Sequence, residues 1–263
     1  MIKKEITILI LILGMVFAGL ANSNNNQLTY AHNFTPNSLS TFITLVYRAQ
    51  VELSLANSSF PLNVTIALDH AEDAAQLIDD AYHFDEEIVD DADFTRKYNE
   101  ALNSRNSTIH ALVIANIVDQ ILREYGKAFD IGYDLTNMSN MMRADMPDVT
   151  SYPAPPSGSS NNTDTSTNST NQNNELRVVN IADYQSAQKL SEKAYQIFRG
   201  NLPLLPLSSS NNTDTSIMAG LEKSIKDLSY LVEIKAPAQE IMILVHGEIH
   251  PSLQLAYDLI LKR

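Results

Sequence analysis

The chain has 263 residues, 44% of them hydrophobic, a formal net charge of −13 and no cysteine. That length can bury a full core without cross-links, and the missing thiol excludes disulfides, thiolate catalysis, c-type haem attachment and Cys-ligated zinc or iron–sulfur sites. The acidity is uneven, with 19 acids against 7 bases over residues 24–148 and 11 against 9 over residues 149–263, a field that repels nucleic acid and anionic headgroups and favours cations or basic partners.

Residues 1–23 read as a signal peptide: Lys3 and Lys4, an apolar run from Ile6 to Phe17, then small residues at Ala18, Gly19, Ala21 and Ser23. A secretory signal needs a basic start and roughly 7–15 apolar residues, whereas a spanning helix needs about 20. The expectation is export with cleavage after Ala21 or Ser23. The alternative is an uncleaved N-terminal anchor, which would be the chain's membrane attachment.

Helical periodicity follows. From Leu39 to Ala56, the residues Phe42, Leu45, Val46, Ala49, Val51 and Leu53 form one apolar face, with Arg48 and Glu52 read as facing outward. Ser59-Phe-Pro-Leu-Asn63 breaks it, and Ala67, His70, Ala71, Ala74, Leu77, Ile78 and Ala81 mark a second, Ala-rich helix to about Tyr82. An acidic run from Asp85 to Asp93 leads into a short third helix, Phe94 to Leu102, whose first turn favours carboxylates. Ser107 or Thr108 is the expected N-cap of the next helix. Ile109 to Tyr125, apolar on nearly every side, should be the most buried helix and end near Gly126 or Gly132.

Residues 148–176 are rich in Ser, Thr, Asn and Pro and read as a disordered linker. Its octet Ser159–Ser166, SSNNTDTS, recurs at Ser209–Ser216 without repeated flanks, as one low-complexity element used in two loops. Beyond it, Ile181–Phe198 and Ile217–Val232 are amphipathic, the latter with Leu221, Ile225, Leu228 and Val232 at bundle-seam spacing. A last helix starts with Pro237 as its first residue and runs to about Leu259, with a kink at Pro251. No β-type alternation appears. The fold class is therefore all-α, an antiparallel bundle of about six helices, with residues 24–147 and 177–263 sharing one core across the linker.

Eight Asn-x-Ser/Thr sequons occur, at Asn33, Asn57, Asn63, Asn106, Asn137, Asn161, Asn168 and Asn211, all in predicted loops or at helix ends. That placement suits N-glycosylation of an exported protein at Asn57, Asn63, Asn106, Asn161, Asn168 and Asn211 above all. Turn and cap chemistry also collects Asn, Ser and Thr, so it generates the same motif by itself.

Histidine is the remaining N/S metal donor. His70, His110 and His246 fall on apolar faces, and His250 lies one turn past His246. Together they could line an internal copper or iron site, with Asp73 beside His70 as ligand or orienting partner. The plainer reading has each His donating to a carbonyl or an acid, with Pro251 twisting His250 away from His246. His246-Gly-Glu-Ile-His250 lacks the zincin order, because Glu248 sits about 200° around an ideal helix from His246. His83-Phe-Asp-Glu86 has the His-x-x-Glu of imelysin-like iron-uptake proteins, but Tyr82 stands where that family has Gly. The acidic run from Asp79 to Asp93 lacks the alternating ligands and turn Gly of a calcium loop. No nucleophile elbow, phosphate loop or dinucleotide fingerprint is present.

The stretches ALDHAEDAAQLIDDAYHF, STIHALVIANIVDQILREYGKAF and VHGEIHPSLQLAYDLILK resemble exported helical proteins of ammonia-oxidising archaea. The resemblance implies an extracytoplasmic setting and surface N-glycosylation, and no activity. The sequence thus points to a non-enzymatic, secreted or envelope-associated bundle that needs no cofactor, binds an envelope protein or small ligand, tolerates cations and does not bind nucleic acid. The alternative is a copper- or iron-binding bundle built on the core histidines.

Overall fold

The computed structural model describes residues 34–35, 37–84, 90–104, 106–137, 139, 177–202 and 212–260. The signal segment, the linker and the sequons at Asn33, Asn161, Asn168 and Asn211 lie outside the described residues. Within them the chain is helical, with no strand. The helices are α1 (Ser38–Ser59), α2 (Val64–His83), α3 (Asp91–Leu102), α4 (Ser107–Ala128), α5 (Ile181–Asn201), α6 (Asn212–Glu233), α7 (Ala238–Leu244) and α8 (His250–Tyr257). A π-helical turn, Val245–Ile249, runs α7 into α8, so the two form one interrupted rod. None of these helices is long and apolar enough to cross a membrane.

Asparagine starts four of the helices. The Oδ1 atoms of Asn37, Asn63, Asn106 and Asn180 accept backbone N–H groups of the first turns of α1, α2, α4 and α5, satisfying donors that a helix leaves unpaired. Asp90 does the same for α3 through Ala92 and Asp93. The expected cap at Ser107 or Thr108 is therefore corrected to Asn106; both residues lie inside the first turn. Pro237 is likewise the N-cap of α7 and not its first residue, with an extended ψ of 135°.

Helix ends are less conventional. Asp130, Lys235 and Asp258 sit in the left-handed region, at φ 52°, 55° and 51°. At each, an N–H reaches back five residues: Ile131 to Gly126, Ala236 to Leu231 and Leu259 to Gln254. This is the Schellman ending, usually made by Gly. Helix α4 ends at Ala128, between Gly126 and Gly132 as expected, and the left-handed residue that closes it is Asp130, not a glycine.

Pro251 does not produce a simple kink. It lacks an N–H and its ring would strike the carbonyl four residues back, Gly247. Widening the preceding turn to π geometry, in which the His250 N–H reaches the Val245 carbonyl, accommodates it.

One apolar cluster takes Phe42, Ile114, Ile117, Ile121, Leu190, Leu221, Ile225 and Ile249, all nearly or fully buried, from both sides of the undescribed segment. Each such side chain contributes about 1.5–3 kcal/mol by leaving water. Helix α4 is buried around most of its circumference and packs on α1, α5, α7 and α8. Helix α1 packs on α2, α3, α4 and α5, so it has more than one inward face. That is why the expectation of an outward Glu52 and Arg48 fails: Glu52 is buried and Arg48 half-buried.

Side-chain contacts fix which helix ends lie together. The Val179 N–H donates to Ala128 O at the end of α4. The Tyr184 hydroxyl reaches Val232 O and Glu233 O at the end of α6, and Tyr125 donates to Ala236 O at 2.6 Å just before α7. Thus the starts of α5 and α7 meet the ends of α4 and α6. At the other end Phe34 packs edge-on against His250, and Thr35 N–H donates to Ile260 O.

Candidate functional site

Four helices bring polar groups together beneath the α1–α2 turn. His70 of α2 is fully buried; its Nδ1 lies 2.7 Å from Glu52 Oε2 of α1 and its Nε2 lies 3.0 Å from Gln185 Oε1 of α5. Ser186 donates to the same Glu52 oxygen at 3.0 Å. Both imidazole nitrogens face acceptors, so the doubly protonated, charged ring satisfies both. Burial opposes that charge, but the hydrogen bonds to Glu52 and Gln185 and the negative charges of Glu52 and Asp73 outweigh it, and the His70 pKa is raised.

Glu124 of α4 forms the second half. It accepts from Gln120, lies 3.3 Å from Lys127 Nζ and 4.0 Å from the Arg48 guanidinium, and its charge acts on Asp183 of α5. Desolvation and the Glu124 charge accordingly lift Asp183 to about 7. Desolvation followed by the charges of Glu52 and Glu124 lifts Asp73 to about 6. The cluster therefore stores protons near neutrality and joins four helices electrostatically. It lacks a nucleophile paired with a free base.

Of the histidines singled out from sequence, the structure brings two together. His246 and His250 meet edge-to-face with ring centroids 5.3 Å apart, so Pro251 does not turn His250 away. His246 Nε2 lies 3.0 Å from Leu135 O, and His250 Nε2 lies 3.2 Å from the fully buried Asp119. His110 Nε2 lies 2.7 Å from Ser104 O. Each of the four thus has its own partner, and His70 and His110 keep partners apart from the His246–His250 pair. Among the described residues no group of three or more His, Asp or Glu is arranged to hold a metal ion. His83 bonds back to Asp79 O at 2.9 Å, and Glu248 accepts from Ser224 at 2.7 Å.

Sequence reasoning found His70 and Asp73 but missed Glu52, Glu124, Asp183 and Gln185. The available signal was the charge and amide content of α4 after Asp119, where Gln120, Arg123 and Glu124 interrupt an apolar helix. Arg123 is held below its ordinary pKa by burial, with Asp119 and Asp134 acting in the opposite direction.

Two open depressions flank the cluster. One of about 390 Å³ is lined by Leu55, Gln185, Gln188, Ser191, Ser229 and Glu233. The other, of about 400 Å³, lies between α4 and the segment after it, with Arg123, Lys127, Asp130 and Tyr133 on its walls. The sequon residues Asn57, Asn63, Asn106 and Asn137 are all exposed. Where Asn63, Asn106 and Asn137 make side-chain hydrogen bonds with other described residues, they use Oδ1 as acceptor and not Nδ2.

Compared with protein-family models, with curated proteins and with solved structures, the chain matches none.

Proposed function

We propose that the chain is an exported, N-glycosylated, antiparallel helical-bundle protein of the cell envelope that works by binding and not by catalysis. The observation that carries this reading is the state of the sequons at Asn57, Asn63, Asn106 and Asn137: all are exposed and, among the described residues, none spends its Nδ2 on a hydrogen bond. The basic-apolar-small pattern of residues 1–23 and the resemblance to exported archaeal helical proteins support the same setting. The partner is an envelope protein or a small polar ligand. For the latter, the depression between Gln185, Gln188, Ser229 and Glu233 supplies mixed donors and acceptors beside the buried network. The acidic first half disfavours nucleic acid, and membrane attachment would come only through an uncleaved N-terminal segment. The alternative, a copper or iron site on His70, His110, His246 and His250, draws support from one contact, that of His246 with His250.

Expression of the full chain in an archaeal host that exports and glycosylates proteins tests the reading by intact mass of the extracytoplasmic fraction. Loss of the residues up to Ala21 or Ser23, with sugar-sized additions that survive denaturation, is the expected result. A full-length, unmodified chain retained in the cytoplasm would overturn it.

A further inference from the structure

The turn between α1 and α2 presents an apolar surface that the fold leaves uncovered. Phe60 is 61% exposed, Leu62 89%, Val64 54% and Leu68 59%. Val64 and Leu68 are one helical turn apart on α2 and so share one face of its first turns. Four exposed apolar residues within nine positions of chain mark a segment on which something lies. Its sequence is Asn57-Ser-Ser-Phe-Pro-Leu-Asn63-Val-Thr65, so a sequon stands on each side of Phe60 and the second lies within the patch itself.

Asn63 is built for both tasks its amide could have. Its Oδ1 accepts the N–H groups of Thr65 and Ile66 at 3.1 and 3.3 Å and caps α2. Among the described residues its Nδ2 has no hydrogen-bond partner, and the residue is exposed. Substitution at nitrogen leaves the capping oxygen in place. We propose that Asn63 carries an N-linked glycan whose first sugars lie over Phe60 and Leu62, making the carbohydrate the cover of this apolar turn. The C–H-rich face of a pyranose ring is apolar and positively polarised, and an exposed aromatic face is its complement. The donor is a lipid-phosphate-linked oligosaccharide. The Asn63 Nδ2 forms a bond to C1 of the first sugar, the bond from C1 to the phosphate oxygen breaks with its electron pair leaving on the phosphate, and one amide proton passes to solvent.

This inference rests on the export reading, and its test separates the two. The full chain is produced in a glycosylating, exporting host and in one that does not glycosylate. Site occupancy is read by peptide mass, Phe60 and Leu62 accessibility by hydroxyl-radical footprinting, and Tm by calorimetry. Asn63→Asp removes the sequon while keeping a capping oxygen, and Thr65→Ala removes it while keeping Asn63 itself. In the glycosylating host, wild type should show an occupied Asn63, protection of Phe60 and Leu62 of at least about threefold, and a Tm roughly 2–4 °C above both variants, a typical shift for a domain of this size. In the other host, wild type and Asn63→Asp should match. Phe60→Ser should keep occupancy but lose the protection of Leu62. Occupancy at Asn57 or Asn106 with an empty Asn63, or an occupied Asn63 without protection, would overturn the inference and leave export standing. No occupied sequon on an exported chain would overturn the inference and leave export standing, whereas a full-length, unmodified chain retained in the cytoplasm would overturn both.

Discussion

Removing the imidazole of His70 should be among the most damaging single changes available. Its ring is fully buried, and its Nδ1 lies 2.7 Å from Glu52, a carboxylate only 5% exposed that otherwise keeps Ser186. With His70 gone, Glu52 is a buried charge without its counter-charge, a defect that costs about 3–5 kcal/mol. At about 2–4 °C per kcal/mol for a domain of this size, His70→Leu should lower Tm by roughly 6–20 °C. The double variant His70→Leu, Glu52→Met should be less destabilised than His70→Leu alone, because the orphaned charge is gone and only packing is lost. Urea titrations followed by far-ultraviolet circular dichroism, with unchanged slope, give both numbers. The sign with pH is also fixed. A raised histidine pKa contributes stability that is fully present below its unfolded value near 6.5 and fades as pH rises through the folded value. The deficit of His70→Leu should therefore be larger at pH 6 than at pH 9. If the single variant costs under about 1 kcal/mol, or the double variant loses as much as the single, the charged-pair account of this network is wrong.

Two other consequences follow from the same structure. Asp183 is raised to about 7, chiefly by desolvation, so ionising it costs the fold stability as pH climbs from about 4 towards 7.5. Asp183→Asn should therefore flatten the fall of Tm between pH 5 and 8 and gain about 1–2 kcal/mol at pH 8 after allowance for solvent screening, measured by scanning calorimetry; a steeper fall would refute the raised Asp183 carboxyl. Lys235 holds φ at 55° after α6, a conformation that costs a side chain about 1 kcal/mol and glycine nothing. Lys235→Gly should raise the urea midpoint accordingly, and a lower midpoint would show that the side chain contributes more than the strain costs.

The helices were legible because their signals are local. Apolar residues recur at helical spacing in α2 and α6, and proline and Asn punctuate the turns at residues 60–63 and 236–237. The exact starts were less so, since Asn106, Ser107 and Thr108 are all good caps and only the path of the preceding chain decides among them. Pro251 announced a disturbance but not its form. A kink and a π turn relieve the same missing N–H, and the His246–His250 contact depends on which one the helix takes.

The buried network escaped for a different reason. Periodicity assigns a charged residue outward by default, and on α1 that rule placed Arg48 and Glu52 in solvent. It fails where a helix is packed on several sides, as α1 is by α2, α4 and α5. A carboxylate can then be buried only if partners arrive from other helices, and those partners lie far off in sequence: His70 is 18 residues from Glu52, and Ser186 is 134. Sequence spacing carries no trace of such pairs. Of the four histidines that sequence reasoning ranked highest, only His246 and His250 share a place, and His70 and His250 find their carboxylate partners, Glu52 and Asp119, on other helices. Glu52, Glu124 and Asp183, individually unremarkable in sequence, are what the packing of α1, α4 and α5 turns into one electrostatic cluster, in which Asp183 is raised to about 7 by desolvation and the Glu124 charge.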